Sequence, residues 1–169
     1  MTSEQFKTKV LPLKHKLFAF AMSFLSNSEE ARDIVQDVMV KVWEEGKSID
    51  EYKSIEAWCM TITRNKSLDR MKRKDYRQED VETLYDLNGG GDDPHAVLEK
   101  SELMSKIKKL VKKLPSKQRE IFVLRDFQEH SYEEIAEILE IEMNQVKVYL
   151  HRARKFIKEE INKLQLHGI

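Results

Sequence analysis

The chain has 169 residues with 30 basic and 30 acidic side chains, so its zero formal net charge indicates no particular partner. A single cysteine, Cys59, excludes an internal disulfide framework, and no cysteine–histidine cluster has the spacing of a zinc site. No apolar run approaches the roughly 18 residues of a membrane span, and the N-terminus lacks the apolar core of a signal peptide. We therefore expect a cytoplasmic protein without membrane insertion.

The charges are distributed in blocks that alternate in sign along the chain. Residues 28–51 contain 8 acids and 3 bases, whereas residues 60–77 contain 7 bases and 2 acids. Residues 78–103 contain 8 acids and 1 base, and residues 104–119 add 7 further bases. Such blocks indicate separate surfaces for separate partners.

Apolar residues recur at helical spacing along the chain, and no convincing run alternates as a β-strand does. The main interruption is the acidic, glycine-rich stretch from Asn88 to Pro94, which is typical of a flexible linker. We therefore predict an all-α protein with one helical domain over residues 1–77, a flexible acidic linker over residues 78–102 and a second helical domain over residues 103–169.

The acidic block of the first domain predicts a helix that begins after Ser28 as its N-cap, with glutamates in the first turn. Apolar residues at helical spacing would anchor one side of this helix. The opposite side would carry Asp33, Gln36 and Asp37, at spacings of three and four. Taken alone, this segment is best explained as an ordinary solvated face, and a surface that presents carboxylates to a partner is the alternative.

The basic block predicts a helix from about Ile55 to Arg77, with cations, short polar residues and aromatic side chains nearby. Cations can neutralise phosphates, and aromatic rings such as those of Tyr52 and Trp58 can stack on unpaired bases. A solvated or membrane-surface helix is the alternative. The short polar residues among the cations disfavour a lipid-facing surface.

Residues 131–154 have the pattern of a helix-turn-helix. Ser131 is the predicted N-cap of its first helix, a break follows at residues 140–142, and Val146 and Leu150 are the buried positions of the second helix. The exposed amides and cations of that second helix suit base edges and phosphates in a major groove. An ordinary helical hairpin is the alternative. Upstream, Leu114 to Ser116 predicts a helix end, with Ser116 capping a new helix from Lys117.

No catalytic constellation is recognisable in the sequence. The five histidines are scattered without a serine or cysteine nucleophile motif beside them. The triple glycine at residues 89–91 lacks the following lysine of a P-loop. We therefore predict no catalytic residue, no metal site, no cofactor and no enzymatic activity.

Three segments, in this order, resemble the extracytoplasmic function (ECF) group of bacterial sigma factors. SEEARDIVQDVMVKVWE, residues 28–44, is similar to the helix with which these factors dock on the clamp helices of the RNA polymerase β′ subunit. SIEAWCMTITRNKSLDRMKRK, residues 54–74, is similar to the segment that opens and holds the minus-ten promoter element. Residues 114–161 look like the domain that reads the minus-thirty-five element.

The resemblance implies three sets of contact residues. Core polymerase would be bound by Asp33, Gln36, Asp37, Val38, Val42 and Trp43. The minus-ten element would be contacted by Tyr52, Lys53, Arg64, Asn65, Ser67, Asp69, Arg70, Lys72, Arg73 and Lys74. Within this set, the resemblance places Asn65, Ser67 and Asp69 near exposed bases and Arg64, Arg70, Lys72, Arg73 and Lys74 on phosphates. The minus-thirty-five element would be contacted by Ser131, Tyr132, Asn144, Gln145, Lys147, Val148, His151, Arg152, Arg154 and Lys155. The loop from Tyr52 to Ile55 would help to form a pocket for a flipped base.

The implied partners are core RNA polymerase, through its β′ clamp helices and β flap, promoter DNA, and an anti-sigma factor of a kind that is commonly membrane-anchored. The alternative function is a free-standing helix-turn-helix regulator of duplex DNA, which would need neither the docking helix nor the strand-opening helix. One departure stands out, because Glu140 occupies a turn position where family members often have glycine. The sequence leaves open the promoter sequence, the inducing signal and the relative arrangement of the two domains.

Overall fold

The computed structural model describes residues 1–73 and 102–166, and within these ranges the chain is helical without a strand. The main helices of the first range are α1 (Ser3–Gln5), α2 (Lys14–Phe24), α3 (Ser28–Glu45) and α4 (Ile55–Arg73). Those of the second range are α5 (Glu102–Lys113), α6 (Ser116–Phe122), α7 (Tyr132–Leu139) and α8 (Met143–Leu166). Single π-helical turns lie at Phe6–Val10 and Val123–Phe127, and 3-10 turns at Leu11–Leu13 and Ile49–Glu51. The predicted all-α class is confirmed.

Helix α3 is bounded by well-formed caps at both ends. The side-chain oxygen of Asn27 accepts hydrogen bonds from the backbone N–H groups of Glu29 and Glu30, at 2.9 and 3.2 Å. Asn27 is therefore the N-cap, and the predicted cap at Ser28 was wrong by one residue. At the other end Gly46 adopts a left-handed conformation with φ of 65°, which glycine reaches without a steric penalty.

The first domain is built around α2, which is buried along most of its length. Leu17 and Phe20 are fully buried, and the rings of Phe20 and Phe24 meet edge to face with their centroids 5.1 Å apart. Helices α3 and α4 pack on two sides of α2 and contribute Ile34 and Met60 to the same core. This apolar burial fixes the orientation of α3 and α4, the two helices that carry predicted contact residues.

The second domain contains the predicted helix-turn-helix, formed by α7 and α8. The Ser131 hydroxyl accepts a hydrogen bond from the Glu134 backbone N–H at 3.1 Å, as expected of an N-cap. Val146 and Leu150 of α8 are buried, as predicted. Upstream, Pro115 precedes a helix that begins at Ser116, so Ser116 lies inside α6 and is not its cap.

The two domains pack against each other with α4 at their junction. Helix α4 lies against α7, and α2 lies against α6 and the π-helical turn at Val123–Phe127. Buried residues of both domains, including Met60 of the first and Leu124 of the second, belong to one continuous apolar cluster. The structure thus supplies the domain arrangement that the sequence left open.

The turn of the helix-turn-helix generates a prediction about stability. Glu140 lies in the left-handed region with φ of 54° and ψ of 47°, where the Cβ of an L-residue is crowded. We expect Glu140→Gly to raise the free energy of unfolding by up to about 1 kcal/mol, less the entropy that glycine adds to the unfolded chain. Glu140→Ala keeps the Cβ and serves as the control in urea unfolding. A glycine variant no more stable than the alanine variant would contradict this account.

Candidate polymerase and nucleic-acid interfaces

The acidic face of α3 is presented to solvent on a well-packed support. Asp33, Gln36 and Asp37 are exposed, whereas Val38 and Val42 are fully buried against the first-domain core. Val38 and Val42 therefore support the face from beneath and do not themselves reach its surface. The caps at Asn27 and Gly46 bound the helix, so the three polar side chains project from a defined backbone.

Sequence reasoning missed Val40, which is 53% exposed. It follows Gln36 by four residues and Asp37 by three, so it lies on the same side of α3 as these polar residues. The alternation of Val38, Val40 and Val42 indicated that at least one of these valines is exposed. Side chains two residues apart point in different directions from a helix, so all three cannot lie on one buried side. The acidic face therefore has an apolar centre.

Trp43 lies at one end of this face and is 48% exposed. Its ring meets that of Phe6 edge to face, with the centroids 5.5 Å apart, so the N-terminal segment holds the indole in place. The terminal amine of Met1 also donates a hydrogen bond to the Gly46 carbonyl at 3.4 Å. Trp43 is therefore a half-exposed surface group at the end of the acidic face.

The outer side of α4 carries the exposed part of the predicted minus-ten set. Asn65, Asp69, Lys72 and Arg73 are all exposed, and Arg73 pairs with Asp69 across one helical turn at 3.0 Å. The guanidinium of Arg70, half-buried, lies 3.9 Å from a carboxylate oxygen of Asp33, so the acidic and basic faces adjoin. Lys74, also predicted to bind phosphate, lies outside the described residues.

Ser67 was predicted to lie beside exposed bases, and the structure contradicts this placement. Its side chain is fully buried, because residue 67 follows Thr63 by four positions and Met60 by seven and so shares their inward-facing side of α4. Its hydroxyl oxygen is buried without a hydrogen-bond partner among the described residues. Ser67 therefore does not belong to the exposed set.

Arg64 was predicted to contact phosphate, but here its partner is a carboxylate of the second domain. Its Nε atom donates a hydrogen bond to Oε2 of Glu120 at 3.1 Å, and the two side chains are only 15% and 1% exposed. Burial raises the pKa of the Glu120 carboxyl, and the neighbouring Arg64 offsets part of that increase. Removing either partner would leave the other charge buried without compensation.

A cleft of about 270 Å³ opens beside the loop that precedes α4. The rings of Tyr52 and Trp58 line it, with centroids 5.2 Å apart and planes inclined at 58°. The Tyr52 hydroxyl donates to Glu45 at 3.1 Å, and burial together with this carboxylate raises the pKa of Tyr52 to about 12. Lys53 lies at the rim, where its ammonium is 2.7 Å from the carboxylate of Glu137 in α7.

The outward face of α8 has the composition expected of a recognition helix. Seven predicted contact residues are exposed on it: Asn144, Gln145, Lys147, Val148, His151, Arg152 and Lys155. Arg154 is also exposed, but its guanidinium forms two hydrogen bonds with Asp126, at 2.9 and 2.5 Å, and these raise its pKa. Most of the predicted face therefore lies together on one helix.

Ser131 and Tyr132, which the resemblance places at the phosphates of the minus-thirty-five element, have structural contacts at the start of α7. Ser131 caps the helix, and the guanidinium of Arg125 lies 4.6 Å from the centre of the Tyr132 ring. The charge that this site would offer a phosphate therefore comes from Arg125, which the sequence analysis did not single out.

Residues 1–73 and 102–166 contain no group of three or more histidine, cysteine, aspartate or glutamate side chains placed to hold a metal ion. None of the helices in these ranges combines the length and apolar character that crossing a membrane requires.

Comparison with known proteins assigns a family to both halves of the chain. Residues 10–77 match sigma-70 region 2, and residues 104–157 match sigma-70 region 4. The Bacillus subtilis ECF RNA polymerase sigma factor SigW is 29% identical over 160 residues, which cover 89% of this chain and 86% of that protein. The RNA polymerase sigma factor YlaC of the same organism is 31% identical over 137 residues, covering 80% of this chain and 79% of that protein.

Solved structures agree with this assignment. The sigma factor RpoE from Bartonella quintana, solved with the anti-sigma factor NepR, superposes with a TM-score of 0.73 at 26% identity, covering 94% of this chain and 98% of that one. CnrH, solved with the cytosolic domain of CnrY, shares the fold with a TM-score of 0.68 at 22% identity, covering 96% of this chain and 90% of that one.

The fold and its three faces define a two-domain transcription initiation factor of the sigma-70 class. Within that class, the chain belongs to the ECF sigma factors of bacterial RNA polymerase. A free-standing duplex-DNA regulator is not favoured, because region 2 matches as well as region 4.

The buried Arg64–Glu120 pair generates a prediction about pH dependence. The folded chain holds the Glu120 proton at pH values where the unfolded chain, with an ordinary pKa of 4.5, has lost it. Protonation of Glu120 therefore stabilises the folded chain fully below pH 4.5. This stabilisation decreases as the pH rises through the raised pKa of Glu120 in the folded chain.

Glu120→Gln has no such proton to lose, so it provides the reference for this measurement. We expect the unfolding free energy of the unmodified chain, minus that of Glu120→Gln, to decrease as the pH rises above 4.5. Urea unfolding of both proteins over the same pH series measures the difference. A difference that grows with pH would show that the Glu120 pKa is lowered instead.

Proposed function

We propose that this sigma factor binds core RNA polymerase through the exposed acidic face of α3. The single observation that carries this proposal is the placement of Asp33, Gln36 and Asp37 on the solvent side of a capped, well-supported helix within the region 2 match. Val40 and Trp43 add apolar area at the centre and end of the face. An acidic surface of this kind suits a basic helical surface on the polymerase.

We propose that α4 and the loop before it engage the opened minus-ten element. Lys72 and Arg73 would contact phosphates, while Asn65 and Asp69 offer amide and carboxylate groups to base edges. The cleft beside Tyr52 provides aromatic rings on which a flipped base could stack and so recover part of its unstacking cost.

We propose that α8 enters the major groove at the minus-thirty-five element. Asn144 and Gln145 lie in its first turn, where recognition helices usually meet base edges, and His151 and Arg152 follow along the exposed side. Lys155 would then lie at the DNA backbone. Helix α5, with its lysines, is the proposed contact of the second domain with the β flap of polymerase.

We infer that the chain acts in the cytoplasm, as an initiation factor without catalytic activity of its own. RpoE and CnrH were each solved with a regulatory partner, NepR and the cytosolic domain of CnrY. We propose that an anti-sigma factor likewise binds this chain and covers its polymerase-binding faces, and that such a partner could itself be anchored in a membrane.

The proposed function is tested by transcription in vitro with purified bacterial core polymerase on a pooled promoter library. Initiation that requires the chain and shares a two-part motif would support it and would identify the promoter. Binding to duplex DNA without binding to core polymerase would instead favour the free-standing regulator.

The docking face generates a prediction about polymerase affinity. Asp37→Arg places a cation against the basic partner surface, and like-charge contacts of this kind cost several kcal/mol, so we expect affinity to fall by roughly 100-fold or more. The matched control is Asp50→Arg, the same charge change at an exposed residue outside α3. Retention of wild-type affinity by Asp37→Arg in a pull-down with core enzyme would exclude the proposed face.

The recognition helix generates a prediction about promoter specificity. If Arg152 contacts a base, Arg152→Ala should weaken holoenzyme binding to the intact upstream element by about 1–3 kcal/mol. Lys155→Ala, a proposed backbone contact, should weaken binding to intact and scrambled upstream elements by similar amounts. The measurement is holoenzyme affinity for both promoters, and equal losses on both for Arg152→Ala would assign Arg152 to the backbone.

A further inference from the structure

Val148 is an exposed apolar residue in the middle of the polar outer face of α8. It is 47% exposed, whereas the same helix buries Val146, Leu150 and Ala153. With about 3.6 residues per turn, residue 148 lies roughly opposite this buried stripe. Its exposed neighbours one turn before and one turn after it are Asn144, Gln145, His151 and Arg152. Val148 is therefore the apolar centre of the proposed recognition face.

Neither packing nor helix propensity accounts for a valine at this position. Its place opposite the buried stripe keeps Val148 out of the domain core. A β-branched residue loses side-chain freedom in a helix, so an unbranched residue suits an exposed helical position better. Single exposed apolar residues are common on protein surfaces, but this one stands where α8 would lie deepest in the groove. The chemistry of the base edges gives it a function.

Among the four bases, only thymine presents an apolar group in the major groove. Its edge consists of the O4 acceptor and the C5 methyl group, whereas the other three bases present hydrogen-bonding groups alone. A valine pressed against a hydrogen-bonding edge would exclude water from that edge without replacing the lost bond. Against a methyl group it would bury apolar surface on both partners. Val148 therefore suits thymine and disfavours the other bases.

The side-chain amide of Gln145, one turn before Val148, complements the rest of the thymine edge. Its Oε1 atom accepts a hydrogen bond from the backbone N–H of Glu142 at 3.2 Å. This bond holds the oxygen at the start of α8, so the amide NH2 group is the end that Gln145 can offer to DNA. Thymine O4 accepts such a bond, whereas a bidentate contact with adenine needs both ends of the amide.

We propose that Val148 is a specificity-determining residue that reads the C5 methyl group of one thymine in the minus-thirty-five element, and that Gln145 donates to O4 of the same thymine. The proposal rests on the proposed placement of α8 in the major groove and names the base that the centre of this face recognises. Residues three apart on a helix have their Cβ atoms about 5–6 Å from each other, so both side chains can meet one base edge.

The test uses the full chain assembled with core polymerase and a duplex promoter on which it initiates in the library experiment. Each thymine of the upstream element, on either strand, is replaced in turn by deoxyuridine, which lacks only the methyl group. We expect one replacement to weaken binding by about 4-fold, the effect of one buried methyl group. In Val148→Ala the same replacement should change the affinity by less than about 2-fold, because the valine methyl groups are gone. Competition binding measures these affinities.

Lys155→Ala is the matched control, since it also truncates an exposed side chain of α8 to alanine. It should weaken binding to the thymine and the deoxyuridine promoters alike and so keep the ratio of about 4-fold between them. The proposal is overturned if no replacement weakens binding of the unmodified chain by more than about 2-fold. It is also overturned if Val148→Ala, folded by circular dichroism, keeps the full ratio.

Cytosine analogues at the sensitive position test the two groups of the base separately. The unmodified chain should bind 5-methylcytosine about 4-fold more tightly than cytosine, and Val148→Ala should bind the two equally. Gln145→Glu keeps an oxygen for the Glu142 N–H but replaces the NH2 donor by an acceptor, so it should favour 5-methylcytosine over thymine. A preference for thymine as strong as that of the unmodified chain would overturn the Gln145 contact.

A promoter with a scrambled upstream element separates failure of this inference from failure of the proposed function. If the unmodified chain with polymerase prefers the intact element but is indifferent to every deoxyuridine, only this inference fails. If it binds the intact and scrambled promoters equally, the proposed placement of α8 fails, and the inference fails with it.

Discussion

The arrangement of this sigma factor depends on the buried ion pair between Arg64 and Glu120. It lies at the junction of the two domains, and its carboxylate is 1% exposed. Burying an arginine and a glutamate together is tolerable only when the two remain paired, because either charge alone would pay a large desolvation penalty. The pair therefore acts mainly on the relative placement of the two domains. The surrounding apolar cluster supplies most of the stabilisation.

Helix α4 has two sides with different surroundings. One side faces the second domain through Glu56 and Arg64, whereas Asn65 and Asp69 remain exposed on the outer side. Because α4 is buried on more than one side, its apolar residues are spread around the helix. On a simple surface helix they would form a single stripe. The same element therefore combines a packed side with an exposed polar side.

The packing of the two domains does not cover the faces that we propose for polymerase and the upstream element. The acidic face on α3 and the recognition face on α8 are both exposed while the domains are in contact. Both faces are therefore accessible without separation of the domains, whereas Arg64 of α4 is paired with Glu120 at the junction.

The sequence by itself determined the helices, their outward faces and the helix-turn-helix, because caps and helical periodicity depend on residues within a few positions of each other. The turn at Glu140 was instead indicated by the family resemblance, because family members often have glycine at this position, and the structure places Glu140 in the left-handed region. Only the tertiary structure decided that Ser67 is buried and that Arg64 pairs with Glu120, a residue 56 positions away. A cation on a helix has the same local pattern whether its partner is a phosphate or a distant carboxylate, so no local signal distinguishes the two.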